Sequence, residues 1–408
     1  SSISAGQSPL IIVDGAPYAG DIANINQADV ESMTVLKDAA SNALYGARGA
    51  GGVIFITTKS AKRGKATISL DARWGANQDA KVDYEKINDP GQYYEMHYGA
   101  LYNYFRNSQQ QDAYSAWKNA NQAMLGLSDE GGIAYVCMDV PAGQSLIGQS
   151  GKLNPNATLG RVIKGRDGGE YLIIPDDWAK EGLRTGLRQE YNVNINGGTE
   201  QFDVMASLGY LKNEGVAMNN YYDRTSGRLK MNYQAREWLR IGATGSYTHN
   251  DYDGLNSTFA VAHDIAPIYP VYIRDAQGQI LYDSHGKRYD YGDGLITGIA
   301  RALYDSQNCI QEDLETKYNN NSNAFNFSGY ADISFLRDFK LTLNAGVNDT
   351  ENRSVSTSYP YYGFYAQTGG GSSVAHYRTF DLNTQQLLNW DHQFGLHNVS
   401  LLAGHEYY

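Results

Sequence analysis

The sequence predicts a small α/β unit followed by antiparallel, membrane-spanning β-barrel strands, about nine in number. Three observations predict it: beyond residue 65 the strands alternate in chemistry with a period of two, their connections alternate between short and long, and no stretch approaches ~18 uninterrupted apolar residues. A helical membrane span is therefore excluded, while a barrel, which crosses with strands, is not.

Residues 1–60 carry the α/β unit. Pro9 to Val13 reads as a strand, Asp14-Gly15 as a turn, Glu31 to Leu36 as a strand, Asp38 to Tyr45 (DAASNALY) as a short helix and Val53 to Thr58 (VIFITT) as the closing strand. Between that helix and that strand lie Gly46, Arg48, Gly49, Gly51 and Gly52. A phosphate cradle needs its glycines after a strand and before a helix, where free amides meet the anion. The order here is reversed, and neither G-x-G-x-x-G nor G-x-x-x-x-G-K-[ST] fits, so the glycines read as a helix-to-strand turn. Lys59 to Lys65 (KSAKRGK) reads as a basic linker centred on 61–65.

From residue 66 the strands have two unlike faces. Ile68, Leu70, Ala72 and Trp74 share one side; so do Tyr191, Val193 and Ile195 against Asn192, Asn194 and Asn196. Phe202, Val204, Ala206, Leu208 and Tyr210 oppose Asp203, Met205, Ser207 and Gly209, while Leu229, Met231 and Tyr233 oppose Arg228, Lys230 and Asn232. Leu239, Ile241, Ala243 and Tyr247, then Phe325, Phe327, Ala331, Ile333 and Phe335, then Leu341, Leu343, Ala345 and Val347 repeat the pattern, and two weaker strands follow near 377–390 and 398–408. Short turns fall at Gly197 to Glu200, Arg236 to Trp238, Leu336 to Asp338 and Gly395 to His397; long loops span about 76–188, 212–221, 250–321 and 349–375. Lipid-facing strands of about ten residues, short turns on one rim and long loops on the other are the plan of an outer-membrane barrel, with Trp74, Tyr210, Tyr247 and Trp390 suited to its interfacial girdles. Inside the first long loop, Asp89 to Arg106 and Gln111 to Leu125 read as helices whose Tyr93, Tyr94, Tyr98 and Tyr102 pack the loop onto its neighbours.

Composition removes other classes. A net charge of −11 without a basic stripe disfavours nucleic acid. The eight histidines are scattered, no H-E-x-x-H or G-x-S-x-G occurs, and Asp176-Asp177 beside Trp178 reads as a polar loop entry rather than a catalytic pair, so no enzyme and no cofactor is expected. Cys137 and Cys309 match no zinc spacing and leave open a loop-to-loop disulfide or two separate thiols. Asp251, Asp253, Asp290 and Asp293 lack a closing calcium-loop glutamate and read as solvated acidic loop, so no metal site is expected. The first residues show no charged and apolar export leader. Tyrosines of the long loops are the candidate ligand contacts, with rigid loop packing as the alternative: Tyr359, Tyr361, Tyr362 and Tyr365 in YPYYGFY, and Tyr269, whose rings suit flat sugar faces.

With those elements in place, "SPLIIVDGAPY…INQADVESMTVLKDAASNALYGARGAGGVIFITTK" resembles the later half of the plug domain of SusC-like TonB-dependent transporters, and "INGGTEQFDVMASLGYLKNEG" with "YYDRTSGRLKMNY…WLRIGATGSY" is similar to their first barrel hairpins, preceded by the usual Asp-Trp at Asp177-Trp178. The resemblance implies a plug remnant ahead of the first strands of a larger plugged barrel, in a longer protein of the bacterial outer membrane. It implies import of oligosaccharides, or in some members peptides, beneath a SusD-like surface lipoprotein, with work supplied by TonB, a wall against outer-membrane lipid, and room for a dimer of transporter–lid pairs. It makes the glycine run a tight corner of the plug, with Arg48 placed to form an ion pair within the unit or to the barrel wall. The alternative, a surface glycan-binding or adhesin β-protein without transport, accounts for tyrosine-rich loops but not for an α/β unit ahead of the strands.

Overall fold

The computed structural model describes residues 9–18, 20–36, 51–61, 64–80, 85–126, 132–254 and 257–407. Two sheets organise it. The first has four strands, β1 (Leu10–Val13), β2 (Ala16–Tyr18), β3 (Val30–Leu36) and β4 (Val53–Thr58), in the order β2-β1-β4-β3. β1 and β2 form a two-residue hairpin in which Val13 faces Ala16, and the intervening Asp14 and Gly15 take φ of 50° and 86°. Positive φ at both central residues is what a right-twisted two-residue hairpin demands, and Asp-Gly supplies it at low cost. β4 runs parallel to β1 and antiparallel to β3, so Val53, Ile56 and Ile12 make a small dry centre. The helix expected over 38–45, together with Gly46, Arg48 and Gly49, lies outside the described residues. Gly51 is exposed, and Gly52 sits at φ +97° with space for a Cβ closed to 3.3 Å by the Leu36 carbonyl, so the end of the run requires glycine on both counts.

The second sheet contains the nine strands anticipated: β5 (Gly64–Asn77), β6 (Gly186–Gly198), β7 (Phe202–Glu214), β8 (Tyr221–Arg236), β9 (Leu239–Asp253), β10 (Lys317–Phe335), β11 (Phe339–Ser358), β12 (Gly371–Phe394) and β13 (His397–Tyr407), each antiparallel to the next in chain order. Register puts the apolar residues of neighbouring strands on one face: Leu70, Val193 and Leu208 stand in one row, as do Ala331, Ile241 and Leu343. That face is open, with Leu70 and Leu208 each 67% exposed, whereas Asn192, Ser226, Thr248 and Asn383 on the other face are buried. The oily side is thus the outer side, the inverse of a soluble core and the arrangement of a wall between lipid and a hydrated lumen.

The strands are longer than the ten residues expected of them. β12 has 24 residues and β11 has 20. Only part of each carries an apolar outer face. On β10 the band runs from Phe325 to Phe335, a rise of about 25 Å at the tilt of such barrels, which matches a hydrocarbon layer. Beyond Phe325 the same outer face turns to Asn323, Asn321 and Asn319; on β11 and β12 it turns to Asp349 paired with Arg378 at 2.7 Å and Glu351 against His376. Asp251 and Asp253, expected in a loop, therefore lie on β9 within this extension. Aromatic residues bracket the band: Trp74, Tyr210 and Tyr247 edge the long-loop side, with Trp74 donating to the Tyr191 hydroxyl at 3.1 Å, and Phe335, Phe339 and Trp390 stack along the short-turn side.

Above the wall the long loops fold into a crown with two packed clusters. In the first, α1 (Pro90–Asn103) is capped by Asp89, which accepts from Gln92 N at 2.8 Å, and α2 (Ala113–Met124) by Asp112. Tyr94, Tyr98 and Leu101 of α1 interdigitate with Ala116, Ala120 and Met124 of α2. The tyrosines read as packing residues do pack. The second cluster gathers Trp178 of α3 (Trp178–Gly182), α4 (Ser257–Asp264) and α5 (Cys309–Glu315). Cys137 and Cys309 are both free and buried, and burial pushes their thiols up to about 11 and about 12.

One expectation is corrected in this crown. Asp290, read as solvated, is 4% exposed: it accepts from Gly292 N at 2.6 Å and from the Tyr135 hydroxyl, and burial raises its carboxyl pKa against the lowering influence of Arg301 and Tyr135. Arg301, 2% exposed, lies 5.5 Å from the ring centres of both Trp178 and Tyr269 and donates to the Asp290 and Gln307 carbonyls. Because the folded pKa of Asp290 is raised above its unfolded value, the stability this group contributes is full below the ordinary carboxylate pKa and is lost as pH rises through the folded one. Melting of the purified full-length protein from about pH 4 upward is expected to show a crown transition that falls with pH in wild type and flattens in Asp290→Asn, which keeps an acceptor for Gly292 N; identical pH slopes would contradict it.

Candidate functional site

The first sheet rests on the polar face of the wall, and the seam between them is the candidate site. It begins at the β1–β2 turn. The Asp14 carboxylate accepts from Thr58 N (2.8 Å) and Thr58 Oγ1 (2.5 Å) within the small sheet, and from Arg228 Nη2 (2.8 Å) and Lys230 Nζ (3.3 Å) on β8 of the wall. All three charged side chains are largely removed from solvent, at 14%, 8% and 14% exposure. Arg228 also donates to Thr58 Oγ1 at 2.9 Å, so one guanidinium joins the β1–β2 turn, β4 and β8.

The segment between β2 and β3 continues the seam. Asn26 donates to Asn192 Oδ1 (2.9 Å) and Ser226 Oγ (3.3 Å), accepts from Arg224 Nη2 (3.1 Å), and caps a short 3₁₀ turn through Ala28 N. Asn24 accepts at its carbonyl from Thr248 Oγ1 (2.7 Å) and at its side chain from Asn250 Nδ2 (2.6 Å). Asp29 is 5% exposed, and burial raises its pKa while Ser207, Arg228, Lys59 and Arg224 pull it down. Every wall partner here occupies an inward register position on β6, β7, β8 or β9.

Polar contacts of this kind hold a part in place without a dry core. Each is a hydrogen bond worth about 1 kcal/mol net, so the seam is set by many exchangeable bonds and one charge cluster. A chamber of about 320 Å³ opens above it, bounded by Asp21 and Asn24 of the small unit and by Tyr222, Asn250, Tyr252, Ser322 and Asn352 of the wall. The Tyr222 and Tyr252 rings stand 6.1 Å apart, and the Tyr222 hydroxyl donates to Asn250 at 2.9 Å, which itself holds Asn24. Amides, hydroxyls and two rings beside the Asp21 carboxylate suit a polar ligand.

The residues singled out from sequence fall elsewhere. Tyr361 and Tyr365 are about half exposed, at 55% and 49%. Tyr361 stacks on His285 at 3.9 Å; Tyr362 bonds through its hydroxyl to Asp283 and lies under the Arg288 guanidinium at 5.2 Å; Tyr359 packs edge-on to Tyr361. The run therefore clasps the turn at Tyr282–Lys287 of the neighbouring loop. Tyr269 is interior, edge-on to Tyr135 at 5.3 Å and beneath Arg301, so its ring is a packing surface. Asp176 holds Arg274 through two bonds of 2.6 and 2.9 Å, Asp177 caps α3, and Trp178 donates to the Tyr269 carbonyl, which makes the Asp-Asp-Trp stretch a tie between the first and third long loops. The seam residues Asp14, Asn24, Asn26, Arg224 and Asn250 were not singled out. The available signal was two cations, Arg228 and Lys230, at consecutive inward positions of a barrel strand, where an unpaired charge is costly.

Among the described residues, no group of three or more His, Cys, Asp or Glu side chains is placed to hold a metal ion.

Residues 2–53 match the family model of the TonB-dependent receptor plug domain. Over 256 residues, 63% of this chain, the sequence is 26% identical to TonB-dependent receptor P39 of Formosa agariphila, covering 19% of that protein. Over its whole length it is 23% identical to TonB-dependent receptor SusC of Bacteroides thetaiotaomicron, covering 36% of it. The fold superimposes on the RagAB peptide importer in its closed-closed state with a TM-score of 0.66 and 23% identity, over 98% of this chain and 41% of that one. The chain thus spans between about a fifth and two fifths of the proteins it matches.

Proposed function

We propose that this chain, which belongs to the SusC-like TonB-dependent receptors, forms the later plug and the first wall of a transporter that imports oligosaccharides or short peptides across the bacterial outer membrane. In this reading residues 1–60 are plug, 61–65 a linker and 66–408 barrel wall with its external loops. TonB supplies the work from the periplasm, and a SusD-like lipoprotein closes over the crown. The observation that carries it is the polar seam: a small sheet held against the lumen face by exchangeable hydrogen bonds, inside a wall whose other face is apolar. A part that must be displaced to open a path is better held by such bonds than by a dry core, whose separation would expose apolar area at about 25 cal/mol per Å². Tyr361 and Tyr365, both about half exposed, and the Tyr222–Tyr252 pair are the proposed cargo contacts. The test is uptake of fluorescent glycans and peptides by cells with and without the full-length gene. Accumulation that requires both the gene and TonB supports import; accumulation of the whole panel unchanged by deletion counts against it.

A further inference from the structure

Three of the four short turns carry a large apolar side chain that the fold leaves more than half exposed. Trp238, between β8 and β9, is 53% exposed; Leu336, between β10 and β11, is 78% exposed; Leu396, between β12 and β13, is 99% exposed. A single exposed leucine is ordinary, but a row of such side chains along one rim marks a contact surface. Turn chemistry sharpens the point. Leu336 and Arg337 sit at φ 47° and 61°, a conformation that glycine or asparagine takes more readily than leucine. Gly395, at φ 60°, opens a two-residue turn whose second position commonly holds a small polar residue, and here it holds Leu396. Water and backbone alike would favour other residues at these tips.

The row continues the apolar edge of the wall. Trp390, His392 and Phe394 form a ladder of rings along β12, with successive centres 5.8 and 4.3 Å apart, which ends beside Gly395-Leu396. Phe335 and Phe339, which flank the second turn, stack at 5.5 Å. Ser334 N donates to the Trp238 carbonyl at 2.8 Å and Asp391 N to the Asp338 carbonyl at 3.0 Å, so each of these turns is tied to the next hairpin along the rim. The charges at the tips balance: Arg236 adjoins Glu237, Arg337 adjoins Asp338, and Asp338 also faces His392 Nδ1 at 2.8 Å. Tips of this kind present apolar bulk without a net field to select a charged partner.

We propose that the three tips are seated in the inner leaflet of the outer membrane, where Trp238, Leu336 and Leu396 reach past the aromatic edge among phospholipid headgroups and first acyl carbons. Short turns lie on the periplasmic side of such barrels, and apolar and indole side chains partition to that depth. The tips then fix the height of the wall from below, as the aromatic edge does from within. The inference rests on the reading of the outer face as lipid-facing, with which the rim is continuous.

The experiment uses the full-length receptor in phosphatidylcholine vesicles, with a nitroxide attached in turn to Leu336→Cys, Leu396→Cys, Glu200→Cys and Leu343→Cys. Wild type carried through the same labelling supplies the background. Glu200 is exposed in the fourth, polar short turn, and Leu343 lies outward in the middle of the apolar band. Power-saturation spectra compare access of oxygen, which concentrates in lipid, with access of a water-soluble nickel chelate. The ratio of oxygen to nickel access is expected to be several-fold higher at 336 and 396 than at 200. Leu396→Ser supplies a second readout, because serine suits this turn and the leucine makes almost no contact within the protein. In water the change would leave stability equal or raised; seated in lipid, it should lower the urea midpoint in vesicles. A ratio at both tips equal to that at 200, exclusion of both reagents from the tips by a covering protein, or a Leu396→Ser midpoint at or above wild type overturns the proposal. A lipid-like signal at Leu343→Cys beside water-like tips would remove the inference and keep the wall; a water-like signal at Leu343→Cys would remove both.

Discussion

Asp14→Asn in the full-length receptor is expected to loosen the plug by about 3 kcal/mol, the cost of leaving buried charge uncompensated. The substitution is nearly isosteric, and asparagine tolerates the positive φ of this turn, so the β1–β2 hairpin survives. Its side-chain oxygen still accepts from Thr58 N. What disappears is the anion between Arg228 and Lys230, two cations removed from solvent that then face each other. Hydrogen exchange should rise at the β4 amides of Val53–Thr58, and cells should become more sensitive to large antibiotics that the closed barrel excludes. Adding Arg228→Gln to Asp14→Asn should recover part of the loss, because the orphaned cation is then gone. Unchanged exchange in the single variant would mean that the charge cluster does not hold the plug.

Leu343→Arg should be the most damaging single change on the wall. Leu343 points outward at the centre of the apolar band, four residues from Phe339 at one edge and four from Val347 near the other. A cation there costs about 2–4 kcal/mol of folding into a bilayer. Its neighbour Asn344 points inward and donates to Gln385 at 3.0 Å, so Asn344→Arg places the same charge in a polar lumen at little cost. Folding titrations in lipid vesicles compare the two directly. Equal stability for both variants would refute the assignment of faces on which the transporter reading depends.

The faces of the wall were legible because lipid imposes them locally: a residue's neighbours two positions away face the same solvent, and Phe325, Phe327, Ala331 and Ile333 announce it. The strand ends were not. Once the outer face leaves lipid, no apolar signal marks it, and Asn319, Asn320 and Asn321 look like loop although they continue β10. The short turns were readable from their local chemistry and the α1 and α2 helices from aromatic residues recurring near helical spacing, while the capping aspartates Asp89 and Asp112 emerged only with the fold. The seam and the buried Asp290 were out of reach for a different reason. Asp14 meets Arg228 across 214 positions and Asp290 meets Tyr135 across 155, and neither pairing leaves a trace in the sequence near either residue. Tyr269 misled because an aromatic run signals a ring, not whether a guanidinium already covers it.

The extension of β10, β11 and β12 past the aromatic edge turns the upper half of the wall into a stockade standing about 20 Å clear of the membrane. Its height is set by the number of residue pairs, and its lateral contacts are amides and opposite charges such as Asp349 with Arg378. Trimming two residues from each of two paired strands would lower the crown by one storey and leave the seat in the lipid untouched; trimming one would turn every side chain above the cut inside out. Tall and short relatives can therefore share one anchoring belt, and evolution can raise or lower the gatehouse in even steps.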